Sequence, residues 1–458
     1  MSTYEIAVMP QAAEEEATRP GGGWLLAFIL FQMACLLVLL FSFAEPLRPL
    51  LRIACFAASG MLALCLPMGG TRQHGSALAA VGVMVILAAS FFNPGTSGTV
   101  AGLAQFAIYA CTLAPLFWVC RLRLKVADLR RALIAIWIFH TVSAGLGVLQ
   151  VYYPGRFQPA VSSTVGDRKW DYQESLKITN AAGERVYRPM GLTDIPGAAS
   201  LSAFYAVLFG LVIGFSGRAT LRAIAGVSMV VGLSCLYMSQ VRAILVMLAA
   251  SVVTFCGFLF LRGEFRRLMV TAGTMAVIAI VSFSLAIAIA GDSVTKRLGT
   301  FLESSPDEMY YSDRGHFLAD TMDNLLPKYP LGAGLGRWGM INSYFGDNSD
   351  PDRQPIWVEI QLTGWLVDGG LPLIAAYSLA ILVAFWEAAR IALARGSDDI
   401  WIWAVAVIAY DLGALAMSFD YPFFNSQSGM ELWVLNAALV AVWRNMESRR
   451  MSPGMVTA

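Results

Sequence analysis

Arginines stand where apolar runs of this chain meet polar ones, and each position suggests a chemistry. Arg242 lies in SQVRAILV, at a very short turn between two apolar runs. Its guanidinium either snorkels to lipid headgroups or binds an anion held at the membrane surface. Arg185 and Arg188 come just before a Pro-Gly entry to another apolar run. Arg314 falls in the first turn of an amphipathic pattern over 313–326, where Phe317, Leu318, Met322, Leu325 and Leu326 share a face and Ser312 or Asp313 can cap. The helix dipole does not favour a cation there, so Arg314 is either a solvated surface group or has an anion beside it. In PLGAGLGRWG (330–339), Gly332, Gly334 and Gly336 alternate ahead of Arg337. The pattern is like a nucleotide-binding loop but follows no strand, and a tight turn whose backbone approaches a neighbour or a phosphate suits it better. Glu359 sits at the edge of the next apolar run, directly after this arginine-rich segment, and is the leading candidate for a base.

The elements that position these groups follow from composition. Of 458 residues 57% are apolar and 14% charged, against about 25% charged in soluble proteins, which excludes a soluble globular enzyme. A net charge of +1 gives no field directed at nucleic acid. Apolar runs fall at 24-44, 50-67, 76-92, 99-120, 132-152, 196-215, 223-239, 243-261, 269-290, 356-386, 401-418 and 430-443, so the expected fold is all-α, a polytopic membrane protein of about twelve spans. Residues 1-23 form an N-terminal tail, 24-443 a transmembrane domain and 444-458 a C-terminal tail. Arg72, the cluster from Arg121 to Arg131, Arg218, Arg222, Arg262, Arg266, Arg267, Arg390, Arg395 and Arg444 fall on the side of the termini. The positive-inside rule then puts both termini in the cytoplasm. A signal-peptide cleavage after Ser42-Phe43-Ala44 competes, but the leader is acidic and the run is longer than a signal core.

Two long segments, 153-195 and 291-355, share the outer face and mix cations, acids and aromatics, which suits a polar, sugar-like ligand. All seven cysteines lie in apolar runs, so no disulfide framework holds these loops, and the three histidines are too scattered for zinc. Asp368 and Asp411 lie inside apolar runs and should each face a partner or water. The acidic run from Asp347 to Asp352 lacks the glycine and terminal glutamate of a calcium loop.

The outer segments resemble the O-antigen ligase and polysaccharide polymerase superfamily. In that family an arginine opens a helix in a large periplasmic loop and a Pro-hydrophobic-Gly-x-Gly-x-Gly turn follows. Arg314 and the stretch from Pro330 to Gly336 are similar to these. IWVEIQLTGWLVDGG (356–370) resembles the family's acidic-glycine segment, Arg242 its arginine at a short outer turn, and RPMGLTDIPGAAS (188–200) its Arg-x-x-Gly entry to a middle span. The likeness covers about 185-375. The His-Asn pair of the ligases is absent before the acidic-glycine motif, and Glu359 falls closest to that slot. The departure favours a polymerase over a ligase.

The resemblance implies a metal-independent, inverting glycosyltransferase without a soluble cofactor, in the bacterial inner membrane. A polyprenyl-diphosphate-linked oligosaccharide would be the donor and a glycan the acceptor, with other polysaccharide-assembly membrane proteins as further partners. Arg242 and Arg314 would stabilise the departing diphosphate through fixed N–H bonds, with Arg188 as a third contact and Arg185, Arg337, Gly334 and Gly336 around the substrate. Glu359 would take the acceptor's proton, with His316 and Asp313 behind it. The rivals are an O-antigen ligase with a lipid acceptor, a twelve-span secondary transporter using Asp368 and Asp411, and a membrane scaffold.

Overall fold

The computed structural model describes residues 21–67, 73–161, 170–216, 218–303, 315–347, 349–395 and 399–451. Ser312, Asp313 and Arg314 lie outside the described residues, as do Arg72 and residues 1–20.

Each apolar run lies on a helix: α1 Gly23–Val38, α2 Arg48–Cys65, α3 Ala77–Ser90, α4 Thr99–Leu113, α5 Val126–Tyr152, α6 Ala199–Ser216, α7 Ala219–Ser239, α8 Arg242–Leu261, α9 Phe265–Ala290, α10 Gln361–Leu393, α11 Ile400–Met417 and α12 Gln427–Met451. Eight of these, α2, α4, α5 and α7 to α11, are long and apolar enough to cross a membrane. The chain is therefore a predominantly helical membrane protein. Helices α1, α3 and α6 are apolar but shorter, and α12 is not among the eight. Two of the remaining four runs fall short of a long, wholly apolar helix for local reasons. The run 24-44 is broken after Val38 by a turn and a 3-10 helix containing Pro46. Helix α12 carries Glu431 near its start and Arg444, Glu447 and Arg450 near its end, and it continues through 444–451, which the sequence assigns to a tail.

Burial identifies the centre of the bundle. Every residue from Ser202 to Val212 in α6 and from Ile400 to Asp411 in α11 is buried, as expected for helices with neighbours on all faces. The intramembrane acids both have partners. Asp368 accepts from Gln105 (2.9 Å), Tyr109 (2.8 Å) and Trp338 (3.0 Å), and Asp411 accepts from Asn436 (2.8 Å).

Among their described residues the two long segments carry regular structure. Within 153–195 an antiparallel hairpin pairs β1 (Lys177–Thr179) with β2 (Arg185–Tyr187). Its turn is held by the Asn180 side chain, which accepts from the N–H groups of Ala182 and Glu184, and by Gly183 at φ 83°. In the second segment a helical run covers His316–Asp320, a π turn Thr321–Leu325 and Leu326–Lys328. The buried Thr321 hydroxyl meets that of Thr363 on α10 at 2.5 Å; of the five apolar residues expected to share a face, Phe317, Leu318, Leu325 and Leu326 are partly buried and Met322 is half exposed.

Candidate functional site

On the side of the bundle bearing the two long segments, the ends of α1, α2, α6, α8, α11 and α12 enclose a cavity of about 590 Å³ with α5 and the 188–198 segment. Its lip is basic. Arg48 and Arg52 are one helical turn apart on α2, so they share a face. Both reach the same oxygen, Oδ2 of Asp194, at 3.2 and 3.3 Å. Arg48 also meets Glu45 at 3.3 Å. Two guanidiniums thus converge on one buried carboxylate, and Arg52 borders the cavity.

The Arg-x-x-Gly segment supplies the third cation. Its path is set by α5: the Gln150 amide oxygen accepts from the N–H groups of Met190 and Gly191, both at 2.8 Å, and Ser143 Oγ accepts from Leu192 N–H at 3.0 Å. Gly191 has φ 68°, and a Cβ there would meet Ser143 Oγ at 2.4 Å, so the turn requires glycine. The result brings Arg188 and Asp194 to the cavity, with Arg188 donating to the Ser175 carbonyl at 3.0 Å.

The inner wall combines apolar side chains, such as Ile29, Met33, Phe56 and Ile244, with a polar cluster. Tyr205 on α6 donates to Glu431 of α12 at 2.7 Å, its hydroxyl lies 2.8 Å from that of Tyr410 on α11, and Tyr410 donates to the Ser428 carbonyl at 2.8 Å. The His140 ring stacks on Tyr205 at 4.4 Å, with Nδ1 3.0 Å from Ser202 Oγ. A cationic lip, an apolar body and a carboxyl–phenol wall together fit an amphiphile with an anionic head.

The residues singled out in the sequence are distributed unevenly around this cavity. Arg188 lines it. Arg242 opens α8 after a left-handed Gln240 (φ 56°), and its neighbours Val241 and Ile244 line the cavity while Arg242 stands beside them. Arg185 lies on β2 and pairs with Glu174 at 3.0 Å; Lys177 and Arg185 together hold that carboxyl below the usual range. His316 is exposed, with its ring on Phe317. Arg314 and Asp313 lie outside the described residues. Glu359 was expected to begin the tenth span, but the helix starts at Gln361. Residues 354–359 have no regular secondary structure and are tied to the preceding segment by Ile356 N–H donating to the Arg337 carbonyl at 2.8 Å, and Glu359 is absent from the cavity lining.

The glycine turn approaches protein backbone. A Cβ on Gly334 would lie 2.4 Å from Gly95 C and Thr96 N, and one on Gly336 2.7 Å from Ala101 Cβ. The other side of the turn docks into a break in α10 at Gly370 (φ 66°), where Leu371 N–H donates to the Pro330 carbonyl at 2.9 Å and Ala333 N–H to Val367 at 2.8 Å. Arg337 turns inward and donates to the carbonyls of Gln354 and Ala333, binding the turn together. It also borders a separate polar cleft of about 390 Å³ with Asn93, Tyr329 and Arg353.

Sequence reasoning missed Arg52, Asp194, His140, Tyr205 and Glu431. Arg52 was absorbed into the apolar run 50-67, although the Arg48-x-x-x-Arg52 spacing was visible. Glu431 bore the same local signal as Asp368 and Asp411, an acid inside an apolar run, but its partner Tyr205 comes from a helix far away in the chain. No protein-family model matches the chain, and no curated protein matches it. What the cavity can do follows from its own side chains.

Proposed function

We propose that this protein is a glycosyltransferase that joins polyprenyl-diphosphate-linked glycan units at the periplasmic face of a bacterial inner membrane, as a polysaccharide polymerase. In this reading the chain crosses the membrane twelve times with both termini in the cytoplasm, in keeping with the arginines of the inner connections. The observation that carries the proposal is an apolar cavity whose lip bears Arg52 and Arg188 at the end of the bundle where the long segments gather. The likeness of residues 185–375 to the ligase and polymerase superfamily supports the same chemistry.

The polyprenyl chain lies against the apolar wall and the diphosphate meets the guanidiniums. As the sugar leaves, negative charge grows on the departing oxygen, and arginine answers it with N–H donors that remain charged at any working pH. At 4 Å and an effective dielectric near 20, each cation–anion pair contributes about 4 kcal/mol before desolvation. Two or three such pairs take the place of a divalent metal. Arg242 and Arg314 remain the further phosphate contacts that the resemblance implies. Substrate attack on one face by a single activated hydroxyl gives inversion.

Purified protein in nanodiscs, given lipid-diphosphate-linked repeat units with and without a chelator, tests the reading. Longer glycans should form in both conditions and be lost in Arg52→Ala/Arg188→Ala and in Arg314→Ala. Extension that requires an added divalent metal, or survives in these variants, overturns it.

A further inference from the structure

Three oxygen-to-oxygen contacts run in series along the inner wall: Glu431 Oε2 to Tyr205 Oη at 2.7 Å, Tyr205 Oη to Tyr410 Oη at 2.8 Å, and Tyr410 Oη to the Ser428 carbonyl at 2.8 Å. Each contact needs one proton. The carbonyl has none to give and the two phenols have one each. With Glu431 ionised, Tyr205 donates to it and Tyr410 donates to Ser428, so the contact between the phenols sets lone pair against lone pair. A proton on Glu431 completes the set: the carboxyl donates to Tyr205, Tyr205 to Tyr410 and Tyr410 to the carbonyl. Glu431 lines the cavity, so a ligand hydroxyl can reach it.

We propose that Glu431 is the proton acceptor of the transfer reaction, with Tyr205 and Tyr410 as a relay that stabilises it once protonated. The inference rests on the glycosyltransferase reading and assigns the base of that same site to Glu431 in place of Glu359. The acceptor's O–H bond breaks as its oxygen forms a bond to the anomeric carbon. The bond from that carbon to the diphosphate oxygen breaks, and its electron pair leaves on the diphosphate held by Arg52 and Arg188. The proton ends on Glu431 and returns to solvent through the cavity mouth.

Other charged and titratable groups surround this wall. His140 of α5 stacks on Tyr205. Arg52 of α2, with Arg188 and Asp194, borders the same cavity, and Tyr421 lines it from the α11–α12 connection. Asp411, next to Tyr410 on α11, accepts from Asn436 of α12. On another face of α12, Tyr377 of α10 accepts from Trp433 at 3.2 Å. The proton count along the relay involves none of them.

The test uses full-length protein in nanodiscs. Glu431→Gln should lower kcat on the order of 100-fold or more, the range of general-base loss, with binding of the lipid-diphosphate donor preserved. Tyr410→Phe removes the contact that lacks a proton when Glu431 is ionised, so the acid limb of its kcat profile should move to lower pH. Infrared titration without substrate reads the same group directly. A protonated-carboxyl band should be absent in Glu431→Gln and should disappear at lower pH in Tyr410→Phe than in the wild type. Tyr410→Phe keeps the ring and stays informative where Glu431→Gln fails to fold. Wild-type kcat in Glu431→Gln, or an unshifted infrared titration in Tyr410→Phe, overturns the proposal. A wild type that shows the band and the shift but neither binds nor uses the donor refutes the glycosyltransferase reading, and with it Glu431 as its base, while the proton site stands.

Discussion

The two ends of the bundle use arginine in opposite ways. At one end guanidiniums close the backbone. Arg121 donates to the carbonyls of Ala63 and Leu66 at 2.8 Å each, where α2 ends. Arg262 donates to Ala392 and Ala394, where α10 ends, and its guanidinium lies 4.3 Å from the Trp401 ring. Arg444 donates to the Gln73 carbonyl and meets Glu387 at 3.3 Å. Helix ends leave carbonyls without intrahelical donors and carry partial negative charge, so cations satisfy them without any ligand. At the other end Arg48 and Arg52 converge on Asp194, and Arg52 and Arg188 border an apolar cavity. Charge count and depth alone would treat the two sets alike. Arg188 too donates to a carbonyl, that of Ser175, and Arg52 pairs with Asp194, so the difference lies in what Arg52 and Arg188 border besides these partners: a space able to hold an anionic head. Arg337 shows that the side of the bundle does not decide the matter, since it stands at the cavity end and still binds carbonyls.

The sharpest way to break this comparison is to remove one set at a time. Arg52→Ala/Arg188→Ala should reduce glycan extension at least about 100-fold, while Asp194 keeps Arg48 and the fold survives; extension assays beside thermal unfolding in detergent read both. Arg262→Ala should lower stability by about 1–3 kcal/mol, because two carbonyls lose a charged donor, with activity per folded molecule unchanged. An equal activity loss in both variants would erase the distinction.

A pH effect sharpens the contrast at the carbonyl-capping end. His74 Nδ1 accepts from Ser76 N–H at 3.0 Å and its Nε2 lies 3.1 Å from Glu387, an arrangement that requires the neutral ring. Burial, and then the charge of Arg444, takes its pKa from 6.5 down to about 3. The folded-state value is below the unfolded one, so the stabilisation is present above pH 6.5 and is lost as pH falls toward 3. Melting curves in that window should fall with pH in the wild type and flatten in His74→Gln. The smallest effect is expected from Arg185→Ala. This arginine is exposed on the hairpin, away from the cavity, and pairs with a partly buried Glu174; pairs open to solvent contribute little, so extension rates should change less than about twofold.

Much of the framework was legible from local pattern. Twelve apolar runs marked twelve helices because hydrophobic composition reports directly on lipid or core contact, and the alternation of Gly332, Gly334 and Gly336 marked a close backbone approach because no other residue fits positive φ at such contacts. Where pattern misled, tertiary contacts had intervened. The tenth helix starts at Gln361 and not at Glu359, because the chain just before it is held by Ile356 N–H donating to the Arg337 carbonyl and by the Arg337 side chain donating to the Gln354 carbonyl.

Residue types thus determined by themselves that this protein is built of apolar helices, where those helices run, and that arginine marks their boundaries, since each of these depends on a few neighbouring residues. Which arginines would face a cavity and which would close a helix was decided only in three dimensions. Arg52 and Glu431 meet one space from nearly opposite ends of the chain, and helical periodicity carries no information about which helix ends converge. That convergence is set by the packing of buried α6 and α11 against their neighbours, a property of the whole bundle and of no single segment.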